Sequence, residues 1–451
     1  MPGGCEALSL QTELLPAPHQ TPGLGCHPRV RRLKSMAFPV CTKHGATSPR
    51  KAHPIRDRGR WLAAEPFRLF FASGMLWSIA AVALWPLFYS GLLLQYPGFV
   101  HSRLMIQTFA GAFVVGFLGT AGPRMAEAPK LTVIELAVLF SLHSANGIFH
   151  LLHFPRVADT CFLTLLGALL CSLVSRIVFF RKDAPPPQMI LALAGILSAL
   201  AGTALGMQES GMDDPDRKRL AQLLLHQGFL LPPVLGVGAF IFPRIMGKNF
   251  GGAAHASEAK ARGIRALLAA TLLFSSFFLE TSGWPRAGGW MRTLVTAYYL
   301  AAEVQWQMRP GEPIPGTLAR GLVLALPTAV AGLALSACFP VWRVPLEHLL
   351  YIGGFGLLMM IVASRVLFGH SGEIDDFSKV SKSARGLLLL TLLAAATRAS
   401  ADFWPRIQIS HHNYASLAWG LAALLWLYWH RRRFVKREPA SSHEQTLATD
   451  S

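Results

Sequence analysis

The sequence predicts an all-α protein, a polytopic bundle of about twelve transmembrane helices. Of its 451 residues, 52% are hydrophobic and only 15% are charged, whereas about a quarter of the residues in a soluble domain carry charge. The mean hydropathy is +0.39, and the apolar residues lie in blocks of about 20, the length that crosses a bilayer. The composition therefore argues against a soluble enzyme and makes the lipid bilayer the first expected partner.

The first 60 residues are rich in Pro, His and Arg and lack the apolar run of a signal peptide, so residues 1–60 are predicted to be a disordered basic tail. Residues 61–430 are predicted to form the transmembrane domain, and residues 431–451 a cytoplasmic C-terminal tail. The twelve predicted spans are 68–94, 101–122, 131–153, 158–180, 188–207, 221–243, 263–280, 289–307, 317–339, 347–368, 385–400 and 411–430.

The segments between spans contain residues that favour turns, as in RKDAPPPQ, RPGEPIPG and CFPVWRVP. Span 6 is unusual because Pro232 and Pro233 lie within it, two turns after His226. Two consecutive prolines predict either an ordinary kink or a break that frees backbone carbonyls.

The net charge of +18 is explained by membrane orientation rather than by nucleic-acid binding, so no nucleic-acid partner is expected. Short cytoplasmic loops retain Lys and Arg during insertion. With a cytoplasmic N-terminus, 32 of the 42 Lys and Arg residues lie inside. This asymmetry predicts that both termini of the multi-pass protein are cytoplasmic.

Histidines are the main candidates for chemistry. Five of them fall at the outer ends of spans on four helices: His101, His150, His153, His226 and His348. Neutral imidazole is a common ligand for iron, copper and zinc, and helix bundles build such sites from facing helices. We predict these five as metal ligands. The alternative is that interfacial histidines only bond water at the headgroup level.

Three intramembrane glutamates are weaker candidates. Glu135, Glu280 and Glu303 lie in or at the ends of spans and share no motif. They would either relay protons or pair with arginines, and the structural pairing is the favoured interpretation.

Three segments resemble a known family. EPFRLFFASGMLW begins at Glu65, HSRLMIQTFAGAFVVGFLGTAGPRM at His101, and HLLYIGGFGLLMMIVASRVLFGHSG at His348. Together they resemble the NnrS family of polytopic inner-membrane proteins of bacteria. The resemblance implies bound haem and copper and a role in the response to nitric oxide and in protection from nitrosative stress.

The second span departs from the family pattern. The family usually has His-x-His-Glu-Met here, of which His101 and Met105 are retained, while Arg103 and Leu104 replace the second His and the Glu. The resemblance therefore implies haem before copper. Either one metal centre has been lost, or its ligand comes from one of three other residues: His150, His153 or His226.

The cofactor site expected from the residues and the resemblance comprises His101, His226, His348, His370 and Arg365. The last two lie at the cytoplasmic end of span 10. There Arg365 would hold a haem propionate or serve as an ordinary cytoplasmic-side charge.

Nitric oxide or another small diatomic molecule is the expected ligand, and whether it is turned over, scavenged or sensed is left open. Two other functions remain as alternatives. One is a proton-coupled secondary transporter, which would use a broken span 6. The other is a membrane subunit of an electron-transfer or oxidase assembly.

Overall fold

The structure, a computed structural model, describes residues 54–208, 214–248, 256–304 and 314–437. Within these ranges the chain is helical and contains no strand. We number the helices α1 to α14: α1 Pro54–Ala64, α2 Phe67–Tyr89, α3 Gly98–Met125, α4 Val133–Leu151, α5 Pro155–Phe180, α6 Pro187–Met207, α7 Pro215–Ile245, α8 Ala256–Thr281, α9 Pro285–Tyr299 with a π-helical end Leu300–Val304, α10 Gly316–Cys338, α11 Pro340–His370, α12 Ile374–Phe377, α13 Lys382–Phe403 and α14 Pro405–His430.

Ten of the described helices are long and apolar enough to cross a membrane. This confirms the predicted all-α polytopic bundle, and the count of twelve spans stays a prediction. The two other long helices are α9, which carries Arg286 and Arg292, and α14, whose first turns contain His411 and His412. These polar residues lower the hydropathy of both helices. Most of the predicted tail, residues 1–53, lies outside the described residues, while α1 begins at Pro54 within it.

Helix α7 continues through Pro232 and Pro233 without a break. Two glycines of α6 allow α6 and α7 to pack closely against each other. A Cβ atom at Gly195 would lie 2.3 Å from the Pro233 ring, and one at Gly202 would lie 2.6 Å from the backbone nitrogen of Leu225. The glycines therefore let the proline-containing helix lie directly against its neighbour.

Four of the described helices contain π-helical segments. Two of these segments end a helix, Arg176–Phe180 in α5 and Leu300–Val304 in α9, and the other two follow histidines. Leu104–Ala110 in α3 follows His101 closely, and Leu349–Gly356 in α11 follows His348 directly. π-Helical turns change the angular register of the side chains along a helix and are frequent at functional sites. Two of the four π-helical segments therefore begin within three residues of a candidate ligand histidine.

Helix α14 is tied into the bundle by buried tryptophans. Trp419 donates from Nε1 to Ser78 Oγ of α2 at 3.1 Å, and Trp426 donates to Ser364 Oγ of α11 at 3.0 Å.

The three glutamates pair with arginines of neighbouring helices: Glu135 with Arg176, Glu280 with Arg219, and Glu303 with Arg265. The favoured interpretation of these glutamates as structural partners is confirmed.

Candidate functional site

His101 and His348 lie at one end of the bundle, which we call the upper end. Each ring is oriented by a hydrogen bond from Nδ1 to a backbone carbonyl: His101 to Ala81 O at 3.0 Å and His348 to Val344 O at 2.7 Å. A carbonyl only accepts, so Nδ1 carries the proton and Nε2 carries the lone pair. No described residue bonds to either Nε2. This is the state in which proteins present imidazole to a metal.

The two histidines share one environment. His348 is within electrostatic range of His101, Arg398 and Asp402. Helices α3, α11 and α13 thus meet at the upper end, as the predicted depth of the histidines requires.

His226 reaches the same region from α7. Its ring centroid lies 6.2 Å from that of Tyr351, and the His348 ring lies at the same 6.2 Å distance from Tyr351, both nearly edge-on. Among the described residues, none forms a hydrogen bond with His226. Tyr351 therefore lies between His226 and His348, and His348 is in turn within electrostatic range of His101.

His412 is held in a hydrogen-bonded group beside this site. Tyr89 Oη lies 2.6 Å from its Nδ1, and Asp402 Oδ1 lies 3.2 Å from its Nε2. Asp402 also accepts from Arg398 at 2.9 Å. Both ring nitrogens are occupied, so His412 supports the site without offering a ligand atom.

The sequence analysis missed Tyr89, Tyr351 and Asp402 as parts of this site. Only Tyr351 had a signal in the sequence, since it follows His348 by three residues, whereas Tyr89 and Asp402 adjoin no candidate residue.

His150 belongs to a separate buried network. Its Nε2 donates to Gln107 Oε1 at 2.9 Å, and Gln107 donates to Asp159 Oδ1 at 2.6 Å. Arg103, which replaces the family's second histidine, forms an ion pair with Asp159 at 3.5 Å. His153 is exposed, with a φ of 61° at the end of α4.

His370 and Arg365 lie toward the opposite, lower end. They follow His348 on α11 by about 33 Å and about 25 Å of helix, at 1.5 Å per residue. His370 donates from Nδ1 to Glu65 at 2.8 Å and accepts from Arg124 at 3.1 Å. Arg365 packs over the Phe377 ring at 5.6 Å. The structure thus does not bring these two residues to the upper-end histidines.

Glu65, between α1 and α2, is the anion of the lower-end network. It accepts from Arg68 Nε at 2.5 Å in addition to His370. Burial by itself raises the pKa of this carboxyl, but the hydrogen bond from His370 and the charge of Arg68 outweigh it, so the pKa lies below its ordinary value of 4.5. The lower end is therefore a structural ion-pair cluster.

Over the described ranges, no group of three or more His, Cys, Asp or Glu side chains is arranged to hold a metal ion. A haem iron needs less from the protein, since haem proteins supply one or two axial ligands and the macrocycle supplies the rest. Two imidazoles with fixed tautomers and unbonded Nε2 atoms fit that requirement.

An apolar cavity of about 80 Å³ lies deeper in the bundle. Its wall comes from α2 and from α3, α7 and α11, the same three helices that carry the upper-end histidines. The lining includes Phe113, Phe117, Leu230, Val234 and Met359. Leu230 and Val234 follow His226 by one and two helical turns, so the cavity lies on the His226 face of α7.

One known protein family is similar to this chain over nearly all of its described helices. The family model described as NnrS protein matches residues 61–437. The chain belongs to the NnrS family. No curated protein matches the chain. The NnrS match includes every described helix from α2 to α14, and thus all three upper-end histidines. It confirms the resemblance drawn from the segments at Glu65, His101 and His348.

Proposed function

We propose that this NnrS-family protein is an integral haem protein of the bacterial cytoplasmic membrane that acts in the response to nitric oxide and protects against nitrosative stress. His101 and His348 would hold the iron through Nε2, with His226 lining the same site. One observation carries the proposal. His101 of α3 and His348 of α11 lie within electrostatic range of each other, each with Nδ1 anchored on a backbone carbonyl and Nε2 unbonded by any described residue.

The surrounding residues suit this task. When bound, haem supplies an iron that takes up a diatomic ligand. Trp85 packs 5.7 Å from the His101 ring and Tyr351 packs against His348, so aromatic side chains limit rotation of both imidazoles. The apolar cavity between the same helices has no polar group to bind water. An uncharged gas dissolved in the bilayer would enter it without a polar channel.

Copper is the second expectation and has weaker support. The position of the missing histidine holds Arg103, whose guanidinium is paired with Asp159. A guanidinium only donates hydrogen bonds and offers no lone pair, so Arg103 does not replace the lost histidine as a metal ligand. We therefore propose haem as the cofactor, with copper bound only if other ligands replace the lost one.

The membrane orientation is part of the proposal. The excess of Lys and Arg in the predicted inner loops supports cytoplasmic termini. The upper end then faces the periplasm, and the Glu65–His370 cluster faces the cytoplasm.

The test is an absorption spectrum of the full-length protein purified in detergent, together with haem and iron per chain. We expect a Soret band in the wild type and its loss or shift in His101→Ala and His348→Ala. His411→Ala is the matched control, because His411 also donates from Nδ1 to a backbone carbonyl, Ile407 O at 3.1 Å. A folded, colourless and iron-free wild type would contradict the proposal and favour transport.

A further inference from the structure

A polar cavity at the upper end is not used by the proposed function. It lies among α7, α8, α9, α10 and α11, and its charged wall consists of Arg219, Arg292, Arg343, Glu280 and Glu347. Its volume is about 20 Å³, room for one small group. Pro285 at its edge is exposed and Arg343 is half-buried, so the cavity reaches the surface.

Most of the charges in the wall are paired. Arg219 donates to Glu280 at 2.8 Å and to Glu347 at 2.7 Å. Arg292 donates from Nη2 to the other Glu280 oxygen at 2.5 Å. These bonds fix both carboxylates against guanidinium groups of neighbouring helices.

The pairing leaves donors unused. Arg292 is 3% exposed, and its Nε and Nη1 atoms are buried without a hydrogen-bond partner. Arg343 makes no ion pair or hydrogen bond with any described residue, although Glu280 and Glu347 are within electrostatic range. Buried donors without acceptors are costly, so an acceptor in the cavity would stabilise this arrangement.

The charge balance gives the sign of that acceptor. Three guanidinium groups face two carboxylates, which leaves one positive charge in the wall. A cation would be repelled, and a neutral molecule would leave that charge without a counter-ion. A single negative charge with planar oxygen acceptors satisfies both the charge and the free arginine donors, because guanidinium binds carboxylate through paired hydrogen bonds.

We infer that this cavity binds one carboxylate group. The group would come from one of two sources: a haem propionate, which rests on the proposed function, or a free monocarboxylate. Glu347 in the wall directly precedes His348. A propionate bound here would therefore lie next to a proposed iron ligand, whereas Arg365 lies at the far end of the same helix.

The first arm of the test needs no haem. The unfolding temperature of the haem-free full-length protein is measured as sodium formate replaces the bulky anion of HEPES at constant ionic strength. We expect formate to stabilise the wild type if a free carboxylate enters, and this effect to vanish in Arg292→Gln and Arg343→Gln. Arg406→Gln is the control, since it removes an exposed charge outside the cavity.

The second arm compares the binding of haem with that of its dimethyl ester, which lacks carboxylates. If a propionate occupies the cavity, the wild type and Arg406→Gln bind the free acid at least tenfold more tightly, and the ratio falls to about one in both cavity variants. If Arg292→Gln fails to fold, Arg343→Gln decides the result.

The outcomes separate the two proposals. A formate effect that depends on the cavity arginines supports the site and indicates a free monocarboxylate as its ligand. A preference for haem over its ester that depends on these arginines supports the site and indicates a propionate. If neither the formate effect nor the haem-to-ester ratio changes in the cavity variants, the anion site is overturned. If haem does not bind at all, the proposed function fails, and the formate arm alone decides the anion site.

Discussion

At the residue scale, the sequence predicts which histidines reach the same depth but not which ring nitrogen is free. His101, His226 and His348 were placed at one end and His370 at the other because position along a span fixes depth. The tautomer of His101 depends on Ala81, a residue of another helix. Both ring nitrogens of His412 are hydrogen-bonded, and their partners, Tyr89 and Asp402, come from two further helices. Such partners are set by tertiary packing, which one sequence does not display.

The lower-end cluster gives a pH-dependent prediction. The pKa of Glu65 is lowered in the folded protein. Its stabilising contribution is therefore complete above the ordinary carboxyl pKa and is lost as the pH falls below 4.5 toward the folded-state value. Glu65→Gln should cost about 3 kcal/mol at pH 7, since it removes the carboxylate that is paired with the buried Arg68.

The measurement is the unfolding temperature in detergent between pH 7 and pH 3. The difference between the wild type and Glu65→Gln should shrink as the pH falls, whereas Glu127→Gln, at an exposed position, should follow the wild type throughout. A difference that stays constant or grows with acidity would refute the role given to Glu65.

At the element scale, most helices were predicted to within a few residues. Span 188–207 corresponds to Pro187–Met207 and span 317–339 to Gly316–Cys338, since apolar length determines both. Helix α7 is longer than predicted because its first turns are charged, as in Arg217 and Arg219. The π-helical turns were not predicted, because no residue type marks them.

The contact between α6 and α7 gives a packing prediction. Gly202→Ala would place a Cβ 2.6 Å from the backbone nitrogen of Leu225. The clash is with backbone rather than with the end of a flexible side chain, so the two helices would have to move apart. We expect a loss of about 1–3 kcal/mol, seen as a lower unfolding temperature.

The matched control is Gly167→Ala on α5, where an added Cβ meets no atom within 4 Å. It should be neutral or stabilise by up to about 1 kcal/mol through helix propensity. Equal effects of the two substitutions would show that α6 and α7 do not pack as described.

At the scale of the whole molecule, the fold was predictable because hydropathy alone separates lipid-spanning helices from their connections. The details that fix a site were not, because they depend on which helices become neighbours. The cavity lined by α3, α7 and α11 joins spans 2, 6 and 10, which are far apart in the chain. Their adjacency has no local sequence signal.

The orientation predicts the outcome of reporter fusions. Alkaline phosphatase, which is active only outside the cytoplasm, should be inactive when fused after residue 183 or residue 437 and active when fused after residue 283. An active fusion after residue 437 would mean that a helix such as α9 or α14 does not cross the membrane. An inactive fusion after residue 283 would mean that the predicted number of crossings before α9 is wrong.

We propose that His101 and His348 present Nε2 to a haem iron at the upper end. It is tested most directly by an experimental density map of the haem-loaded protein. We predict density for the macrocycle between α3 and α11, with the iron about 2 Å from Nε2 of these histidines, as for other metal–imidazole bonds. Density for haem at His370, or iron bonded to neither histidine, would contradict the account.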